Sequence, residues 1–547
     1  MATLLQHWLT EQAACQSDST AVVFGEESLT YGQLEEAANQ LSRLLIAAGC
    51  RKGDRVLLVM PKSPSAIISI LGVLKAGCIY VPMDPTSPAS WAVKKVDLCE
   101  CRMILAAGAV AGLLDEIVHE KKTNGNLSIG WVGNQNIEGA GLKTTFTRQD
   151  FQSYSGNPLD DQVRPEDPAY ILFTSGSTGV PKGVVITHAN VIHFVEWAVR
   201  YFGINSADKI SGHPPHHFDL SVFDLFGSLA AGASLHLVAP ELNFYPNKLA
   251  EFILHSGLTQ WFSVPSILNY MAKLDVVKQN DFPTLKRVLW CGEVFPTPSL
   301  IYWMKRLPHV TFTNLYGPTE ATIASSYYTL PGCPRSEKVQ IPIGTACEGE
   351  TLLVLNSKME PVSPEEVGDL YIGGVGLSPG YWREPEKTEK VFLKNPHSAD
   401  PSERIYKTGD LARVGKEGLV YFHGRNDLQV KSRGYRIELG EIESALNTLP
   451  FLQESAAVAL PTDGFEGTIL CCTYVPVKGE DVPPLRIRQE LSRILPRYML
   501  PSQWTVFNQL PKNANGKIDR RKLKELLERE KTQDHRKETK ESVARFS

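Results

Sequence analysis

A stretch of ten residues, TSGSTGVPKG from Thr174 to Gly183, combines small residues, hydroxyl groups and a lysine. Small residues let the backbone approach a bulky anion, while hydroxyls, backbone N–H groups and an ammonium group supply hydrogen-bond donors and positive charge. This composition predicts a phosphate-binding loop. Its candidate ligands are Thr174, Ser175, Gly176, Ser177, Thr178 and Lys182.

A Walker loop and a simple hairpin turn are two other interpretations of this segment. Both explain its residues less well than a phosphate-binding loop between two strands. A Walker loop has a glycine before its lysine, Ser or Thr after it, and then a helix. Here Pro181 and Gly183 flank the lysine and a β-branched run, residues 184–187, follows. With the apolar run 169–173 in front, the pattern predicts strand, loop, strand. An ordinary hairpin turn needs only a few residues and explains neither the length of the loop nor its lysine.

Two later segments carry groups suited to nucleotide chemistry. VLWCGE (Val288 to Glu293) and NLYGPTEATI (Asn314 to Ile323) each predict a strand that runs into a turn. The second places an aromatic ring, a Gly-Pro turn, a hydroxyl and a carboxylate close together. A hairpin turn accounts for the glycine and the proline, but not for the other three groups.

Three more segments lie nearer the C-terminus. They are YKTGDLAR (Tyr406 to Arg413), GRNDLQVKSRGYRIELGEIE (Gly424 to Glu443) and LPKNANGKIDRRKL (Leu510 to Leu523). Taken singly, they fit simpler interpretations, which are a turn aspartate, a charged edge strand and a solvated loop lysine. Their presence together with the earlier segments favours a shared role.

The six segments together resemble the motifs of the adenylate-forming superfamily, which includes acyl-CoA synthetases, firefly-type luciferases and the adenylation domains of nonribosomal peptide synthetases. The match runs in family order from about Leu29 to Leu523. It implies an α/β fold with a large N-terminal domain of β-sheets covered by helices and a small, mobile α+β C-terminal domain. ATP and Mg²⁺ are the implied cofactors.

The resemblance implies roles for individual residues in nucleotide binding. Tyr316 stacks on adenine, Asp410 accepts hydrogen bonds from the ribose hydroxyls, and Arg425 contacts the ribose side. Thr319 donates to the α-phosphate, and Glu320 helps to hold Mg²⁺, a hard cation that takes carboxylate and phosphate oxygens. The remaining implied nucleotide contacts are Gly292, Glu293, Asn314 and Gly317.

The resemblance also implies a hinge, with Asp427 as its pivot. This hinge divides an adenylation domain that binds ATP and the amino acid, residues 1–426, from a lid domain, residues 427–530, that carries the catalytic lysine. Residues 531–547 form a charged tail that we expect to be flexible.

FDLSVFDLF, from Phe218 to Phe226, resembles the segment that begins the substrate pocket in amino-acid adenylation domains. Asp219 matches the carboxylate that holds the α-amino group of the substrate. A carboxylate suits an ammonium group, whereas relatives that bind aryl or fatty acids use other residue types there. Alternatively, Asp219 caps a helix whose next residues are core. The three histidines before it suggest a metal, but two prolines intervene and nothing completes a ligand set.

The family's pocket positions fall on one set of residues of this chain. They are Asp219, Leu220, Phe223, Phe262, Leu289, Cys291, Leu315, Ile323, Ala324 and Lys517, and those near Phe262 depend on an ungapped alignment. By resemblance, Asp219 takes up the amine and Lys517 the carboxylate of the substrate.

The other walls are apolar, so a buried polar substrate side chain would go unpaired at a cost of about 1–3 kcal/mol. Two phenylalanines fill volume and argue against a large aromatic substrate. The set resembles that of the freestanding prolyl-carrier-protein ligases of pyrrole and anatoxin-type pathways. It implies L-proline, with valine, another small aliphatic or a six-membered cyclic homologue as alternatives.

Elements of alternating type must position these residues. The predicted elements are a helix at Leu29 to Gly49, a strand at Arg55 to Ser63, a helix at Ala66 to Ala76, a strand at Ile79 to Pro82 and a helix at His188 to Gly203. This alternation is typical of largely parallel sheets covered by helices. The region from Ala106 to Gly156 is expected to be polar and irregular.

The composition of the chain limits the kinds of partner and the cellular compartment that we expect. The chain has 547 residues, 43% of them hydrophobic, and a formal net charge of -4, so neither nucleic acid nor an anionic membrane is expected as a partner. Ten cysteines without zinc-type spacing, and no secretory signal, predict reduced thiols in the cytoplasm. We expect a monomer.

The implied reaction has two steps. A carboxylate oxygen of the amino acid attacks the α-phosphorus of ATP and expels pyrophosphate, while Lys517, Thr319 and Mg²⁺ stabilise the developing charge. The thiol of a phosphopantetheinylated carrier protein then attacks the adenylate. This step requires Lys517 to leave, and Gly434 lies along the path of the pantetheine arm by resemblance.

Three further expectations concern the type of enzyme. No carrier segment follows Lys517 and no condensation domain precedes Leu29, so we expect a freestanding enzyme that loads a separate carrier protein. A coenzyme A ligase of the same fold is an alternative, but Asp219 argues against it. An ATP-binding regulatory module is another, but Lys517 and Asp427 argue against that.

Overall fold

The computed structural model describes residues 2–121, 127–134, 143–161, 163–176, 181–462, 467–513 and 518–529. The chain divides into two compact units. Met1–Thr174 and Lys182–Asp427 form the first, and Ser175–Pro181 and Leu428–Ser547 form the second. The predicted fold class is confirmed, because helices and sheets mix throughout and the N-terminal unit is much the larger.

The helix Tyr31–Ala47, α2, shows how the local sequence determines where a helix begins. Thr30 forms a capping box with Gln33, in which the threonine hydroxyl accepts from the Gln33 N–H at 3.2 Å and the glutamine carbonyl accepts from the Thr30 N–H at 3.0 Å. The helix runs over Tyr31–Ala47 and buries the face that carries Leu34 and Leu41. The predicted helix is therefore confirmed, with slightly shorter bounds.

The next two elements correct a predicted boundary. The strand runs over Arg55–Val59 and not to Ser63, because Ser63 caps the following helix by accepting from the Ala66 N–H at 3.3 Å. That helix begins at Pro64, a residue suited to a first helical position because its missing N–H is not needed there.

The expectation of an irregular region from Ala106 to Gly156 is wrong in part. Helix Ala111–Glu120 and strand Ser128–Trp131 lie within it, and the strand pairs in parallel with the strand Met103–Ala106. Short apolar runs between polar residues have too little periodicity to reveal them.

The first unit contains twelve α-helices within the residues described. They are α1 (Leu5–Gln16), α2 (Tyr31–Ala47), α3 (Pro64–Lys75), α4 (Ala89–Cys99), α5 (Ala111–Glu120), α6 (Arg148–Phe151), α7 (His188–Phe202), α8 (Leu220–Ala231), α9 (Pro246–His255), α10 (Pro265–Lys273), α11 (Thr297–Arg306) and α12 (Pro385–Val391). The predicted helix after the phosphate loop, α7, is confirmed and ends at Gly203, whose φ of 62° is the left-handed conformation that favours glycine.

One sheet of this unit has the strand order β16-β15-β14-β13-β12-β10-β11-β1-β2. Its strands are β1 (Thr20–Phe24), β2 (Glu27–Thr30), β10 (Lys209–Gly212), β11 (Ser234–Leu237), β12 (Gln260–Ser263), β13 (Arg287–Trp290), β14 (Thr311–Tyr316), β15 (Ser326–Thr329) and β16 (Thr345–Ala346). Strands β12, β13 and β14 run parallel, which brings their carboxyl ends to one edge.

Another sheet has the order β19-β9-β8-β4-β3-β5-β6-β7. Its strands are β3 (Arg55–Val59), β4 (Ile79–Met83), β5 (Met103–Ala106), β6 (Ser128–Trp131), β7 (Phe146–Thr147), β8 (Pro168–Thr174), β9 (Lys182–Thr187) and β19 (Gly380–Tyr381). Strands β8 and β9 are antiparallel and flank the glycine- and serine-rich segment, so the two predicted strands are confirmed. Residues 177–180 of that segment lie outside the described residues.

A further sheet of this unit contains β17 (Glu350–Leu355), β18 (Val367–Gly374), β20 (Phe392–Lys394), β21 (Arg404–Val414) and β22 (Val420–Arg425). The second unit contains β23 (Gln429–Ser432), β24 (Tyr435–Glu438), α13 (Leu439–Leu446), β25 (Leu452–Pro461), β26 (Thr468–Pro476), α14 (Pro484–Ser492) and β27 (Gln503–Val506). Among the helices of the described ranges, none combines the length and the apolar character needed to cross a bilayer.

Candidate active site

Three parallel strands supply one face of the predicted amino-acid pocket. The register places Phe262 of β12 beside Leu289 of β13, and Leu289 beside Thr313 of β14. Because side chains alternate along a strand, Cys291 and Leu315, each two residues further on, continue the same faces. The side chains of Phe262, Leu289, Cys291 and Leu315 are buried.

Helix α8 packs against this face. The rings of Phe223 and Phe262 meet edge to face with their centroids 5.8 Å apart, and Phe194 of α7 meets Phe223 in the same way at 5.4 Å. Leu220 is also buried. The eight apolar residues predicted for the pocket therefore lie in one continuous cluster of buried side chains: Leu220, Phe223, Phe262, Leu289, Cys291, Leu315, Ile323 and Ala324.

A tight turn closes this region after β14. A side chain at Gly317 would place its Cβ 2.5 Å from the Cα of Ala324, so only glycine permits this approach of the backbone. Thr322 and Ile323 have φ values of 53° and 68°. The Cys291 thiol faces the carbonyl oxygen of Ile323 at 4.0 Å, which brings the turn to the end of β13.

Asp219 lies directly before α8 in a helical conformation, and its side chain makes no capping hydrogen bond. Its Oδ2 accepts instead from the hydroxyl of Thr319 at 2.8 Å. The capping alternative therefore holds for the position of Asp219 and for the buried residues that follow it, but not for a capping hydrogen bond from its side chain. One hydrogen bond joins the residue predicted to bind the amine and the residue predicted to donate to the α-phosphate.

Glu320 is fully buried, and its Oε1 accepts from the hydroxyl of Tyr381 at 2.8 Å. The Lys182 ammonium lies 5.1 Å from the centre of the Tyr381 ring. Thr174, the register partner of Lys182, has a buried hydroxyl with no hydrogen-bond partner. The structure thus brings Lys182, Glu320 and Tyr381 together beside an unsatisfied polar group.

A network of polar contacts surrounds Asp410. Asp410 is buried and accepts from the Tyr316 hydroxyl through Oδ2 and from the Arg425 guanidinium through Oδ1. Burial and the neighbouring carboxylate raise the pKa of Tyr316 well above its usual value. Arg425 also binds Asp427 with two hydrogen bonds, from Nε at 2.8 Å and from Nη2 at 2.6 Å. Asp427 is the last residue of the first unit.

Three residues predicted to contact the nucleotide also have structural contacts. Gly292 has a φ of 97°, Glu293 accepts from the Ser266 N–H at 3.1 Å, and the Asn314 amide donates to the carbonyl of Pro342 at 2.8 Å. Glu293 therefore caps α10, and Asn314 fixes the end of β14. Their roles toward a nucleotide remain predictions.

The other predicted residues lie elsewhere. Ser175 and Gly176 group with the second unit, and Gly434 of that unit has a φ of 80° in the hairpin between β23 and β24. Ser177, Thr178 and Lys517 lie outside the described residues, so their roles also remain predictions.

A buried polar cluster around Lys62 has no signal in the sequence. The Lys62 ammonium donates to the carbonyls of Gly212 and His213 at 2.8 and 2.5 Å, and so fixes the segment that leads to Asp219. Burial lowers the pKa of Lys62 to about 7, although Asp224 and Glu241 oppose this effect.

The same burial affects the neighbours of Lys62. It raises the pKa of Asp224 well above the usual value and, with the nearby Lys62 charge, lowers the pKa of both His213 and His216 to about 3. These imidazoles are therefore neutral near pH 7. Within the described part of the chain, no group of three His, Cys, Asp or Glu residues is arranged to hold a metal ion.

Comparison with known proteins gives matches over nearly the whole chain. The sequence profile of the family described as "AMP-binding enzyme" matches residues 9–382, and that described as "AMP-binding enzyme C-terminal domain" matches residues 441–517. Tyrocidine synthase 3 of Brevibacillus parabrevis is 34% identical over 521 residues. That match covers 95% of this chain but 8% of the relative, so the chain spans a small part of that protein.

Two further matches are similar in length to this chain. Zwittermicin A synthase ZmaJ of Bacillus cereus is 33% identical over 532 residues, which cover 96% of this chain and 95% of the relative. The solved structure of holo-PA1221, a nonribosomal peptide synthetase protein containing adenylation and PCP domains, is 25% identical with a TM-score of 0.78. It covers 95% of this chain and 84% of that one.

Proposed function

Because the chain belongs to the AMP-binding enzyme family, as an adenylation domain of the nonribosomal peptide synthetase type, we propose that it activates a small apolar amino acid with ATP. L-Proline is the first choice. The aminoacyl-adenylate then passes to the phosphopantetheine thiol of a separate carrier protein. The enzyme would thus be an AMP-forming amino acid–[carrier protein] ligase that acts in the cytoplasm as a monomer.

The observation that carries this proposal is the position of Asp219. Its carboxylate is not used as a helix cap, and it lies beside Thr319 next to an apolar cluster. A carboxylate at the entrance of an apolar region has a natural partner in a substrate ammonium group, because a charged hydrogen bond is roughly twice as strong as a neutral one. A substrate without an amine would offer this carboxylate no such bond.

The size of the substrate follows from the packing of the walls. Phe223 and Phe262 fill the space between α8 and β12 with an edge-to-face contact, and Ile323 closes the turn. We expect these walls to admit only a compact apolar side chain. An added methylene in such a pocket changes selectivity by only about 1–3 kcal/mol, so valine and a six-membered cyclic homologue should be weaker substrates.

The residues on the nucleotide side fit ATP and a magnesium ion. The unsatisfied Thr174 hydroxyl and the Lys182 ammonium suit phosphate oxygens. Glu320 offers a buried carboxylate, the type of ligand that Mg²⁺ takes. When bound, the ion would neutralise charge on the phosphates. Asp410 keeps lone pairs for ribose hydroxyls, because each carboxylate oxygen accepts more than one hydrogen bond.

In this proposal, Thr319 links the binding of the amino acid to the binding of ATP. Its hydroxyl donates to Asp219 at 2.8 Å in the structure. A substrate ammonium group would compete for the Asp219 carboxylate and release the hydroxyl, which could then donate to the α-phosphate. The amino acid would in this way prepare the site for the reacting group of ATP, and Lys517 would add positive charge by resemblance.

The test of the proposal is a screen of ATP/pyrophosphate exchange with the proteinogenic amino acids, their cyclic homologues and plain carboxylic acids. We expect the fastest exchange with L-proline, weaker exchange with valine and none with acids that lack an amine. Best activity with a polar, aromatic or amine-free acid would contradict the pocket assignment. Thioester formation with coenzyme A and no carrier protein would favour a coenzyme A ligase instead.

Transfer to the carrier is tested at the hinge. Proline at position 427 fixes φ and stiffens the proposed pivot, so Asp427→Pro should keep adenylation within about twofold and reduce carrier loading at least tenfold. Radiolabelled amino acid on a phosphopantetheinylated carrier protein measures the second step. The matched control is Asp427→Ala, which removes the contact with Arg425 but not the backbone freedom. Equal loss of both half-reactions, or normal loading, would contradict a pivot at this residue.

A further inference from the structure

The turn that carries two pocket residues is held in a strained conformation. Thr322 and Ile323 are consecutive residues with left-handed φ values of 53° and 68°, which β-branched side chains rarely adopt. Such strain persists only where the surrounding structure holds it. The Thr322 hydroxyl is buried and donates to the carbonyl oxygen of Gly376 at 2.6 Å, so Gly376 is the first support of this turn.

Gly376 is held in turn by the side chain of Glu350. The Gly376 N–H donates to Glu350 Oε1 at 2.7 Å. A side chain at residue 376 would place its Cβ 2.9 Å from that oxygen and 3.2 Å from the carbonyl of Ala321, so glycine allows this approach without displacing either group. A continuous path of hydrogen bonds therefore runs from Glu350 through Gly376 to Thr322 and the pocket residue Ile323.

Glu350 is unusual because it is an acidic residue at a buried position. Its side chain is only 4% exposed, and Oε2 is buried without a hydrogen-bond partner. Burial raises the pKa of Glu350 to about 8, although the hydrogen bond from Gly376 opposes this effect. The carboxyl group is therefore mainly protonated at pH 7.

The groups that face Glu350 give its charge little compensation. From α7, His193 places Nε2 3.8 Å from Oε1, but the same nitrogen contacts the carbonyl of Glu348 at 2.7 Å. From the segment before β17, Cys347 contributes a thiol whose pKa is itself raised, first by burial and then by Glu350. From β18, Gly374 lies opposite in register and has no side chain.

We propose that Glu350 is a positioning residue of the amino-acid pocket, and that its neutral carboxyl group holds the turn that presents Ile323 and Ala324 to the substrate. The inference depends on the proposed function, because it assigns Glu350 to the same pocket. Ionisation would place a buried charge beside the Gly376 loop and draw in water, which would loosen the path to Thr322. Amino-acid binding should then weaken with rising pH, while ATP binding should not.

The test compares Glu350→Gln, which keeps an acceptor for Gly376 but cannot ionise, with Glu350→Leu, which has no acceptor. Glu348→Gln is the matched control, because the Glu348 side chain is 67% exposed and pairs with Arg200 on the surface. Pyrophosphate exchange from pH 7 to pH 9 gives KM for the amino acid and for ATP separately.

For the wild type, titration near pH 8 predicts that KM for the amino acid rises about tenfold from pH 7 to pH 9, with KM for ATP unchanged. Glu350→Gln should show a low and flat KM, and Glu350→Leu a KM about tenfold higher at every pH. The control should follow the wild type. A Glu350→Gln variant that keeps the alkaline rise, or a Glu350→Leu variant that raises both KM values equally, would overturn the proposal.

Amide hydrogen exchange separates this inference from the proposed function. The N–H groups of residues 322–325 should exchange faster in Glu350→Leu than in the wild type, and at the wild-type rate in Glu348→Gln. If the wild type exchanges pyrophosphate with no amino acid, the proposed function fails. Faster amide exchange in Glu350→Leu would still support the inference that Glu350 holds the turn. Unchanged amide exchange in Glu350→Leu would overturn the inference even in an active enzyme.

Discussion

The predicted amino-acid side and the predicted ribose side of the candidate site are built in opposite ways. On the ribose side, Tyr316, Asp410, Arg425 and Asp427 bind one another through charged or polar groups. On the predicted amino-acid side, α8 and three strands contribute buried apolar side chains, and the charged group is Asp219, which directly precedes α8. Under the proposed function, selectivity for the amino acid would depend on shape and a single charge, whereas ribose binding would depend on a network.

This difference predicts where single substitutions act most strongly. Removing a charge that contacts a substrate or a reacting group should reduce activity by orders of magnitude, because a few charged contacts supply most of the interaction energy there. Altering an apolar wall should change preference by a smaller factor, since many weak contacts share the work.

The largest effect is expected from Lys517→Ala. A charge-assisted contact in a site without water is worth several kcal/mol, so adenylate formation should fall by about a thousandfold or more. Pyrophosphate exchange measures the loss, and thermal unfolding should be unchanged. Lys512→Ala is the control, because Lys512 belongs to the same segment and pairs with Glu454 at 2.5 Å. Near wild-type exchange by Lys517→Ala would remove the lysine from the mechanism.

Asp219→Asn tests the single charge of the amino-acid side. The amide keeps the size of the side chain but cannot pair with an ammonium group, so kcat/KM for proline should fall by about 100-fold. KM for ATP should change by less than a factor of about three, since the ribose network is intact. Asp224→Asn is the control, because Asp224 lies within α8 and is fully buried, and this substitution should affect folding more than KM for proline. An Asp219→Asn variant with normal proline kinetics would contradict the role of the carboxylate.

Lys62→Met tests the buried lysine that binds the carbonyls of Gly212 and His213, through the pH dependence of stability. The pKa of Lys62 is lowered to about 7, so between about pH 7 and pH 10 the folded chain binds fewer protons than the unfolded chain. This side chain therefore makes the free energy of unfolding rise with pH across that window. Lys62→Met removes the rise, on the order of 3 kcal/mol.

Denaturant unfolding of both proteins at pH 7 and pH 9.5 measures this difference. Lys209→Met, a substitution of an exposed lysine on β10, is the control and should keep the wild-type profile. Parallel pH profiles for the wild type and Lys62→Met would mean that Lys62 does not titrate in this range.

The same contrast explains what the sequence could predict. The contiguous segments around Lys182, Tyr316 and Asp410 place chemically distinctive residues within a few positions, so their grouping was visible before the fold was known. The strand that flanks the loop on each side and helix α7 also followed from local periodicity.

The supporting residues could not be predicted in this way. Lys62, Glu350 and Tyr381 are single residues in unremarkable segments. Only the fold brings them to their partners, which are Gly212, Gly376 and Glu320 respectively. Their burial, which gives Lys62 and Glu350 unusual pKa values, is a property of packing between distant elements. The predicted end of the strand at Ser63 was wrong for a different reason. The serine cap and the proline that begin the next helix end the strand early.

The smallest effect is expected from an apolar wall. Phe262→Leu removes part of a fully buried ring that meets Phe223, so the pocket gains room. The preference for proline over its six-membered cyclic homologue should fall by about tenfold, within the range of a methylene in an apolar pocket. Phe151→Leu is the control, a buried phenylalanine outside the predicted pocket. Unaltered selectivity in Phe262→Leu would place Phe262 away from the substrate.

The central claim, that Asp219 recognises the amine of a small amino acid, is tested most directly by one paired measurement. Pyrophosphate exchange is compared for L-proline and for tetrahydrofuran-2-carboxylic acid, in which a ring oxygen replaces the amine. A site built to bind the amine should prefer proline by at least about 100-fold, and Asp219→Asn should remove most of that preference. Equal exchange with the two acids, or exchange with the oxygen compound alone, would contradict the account.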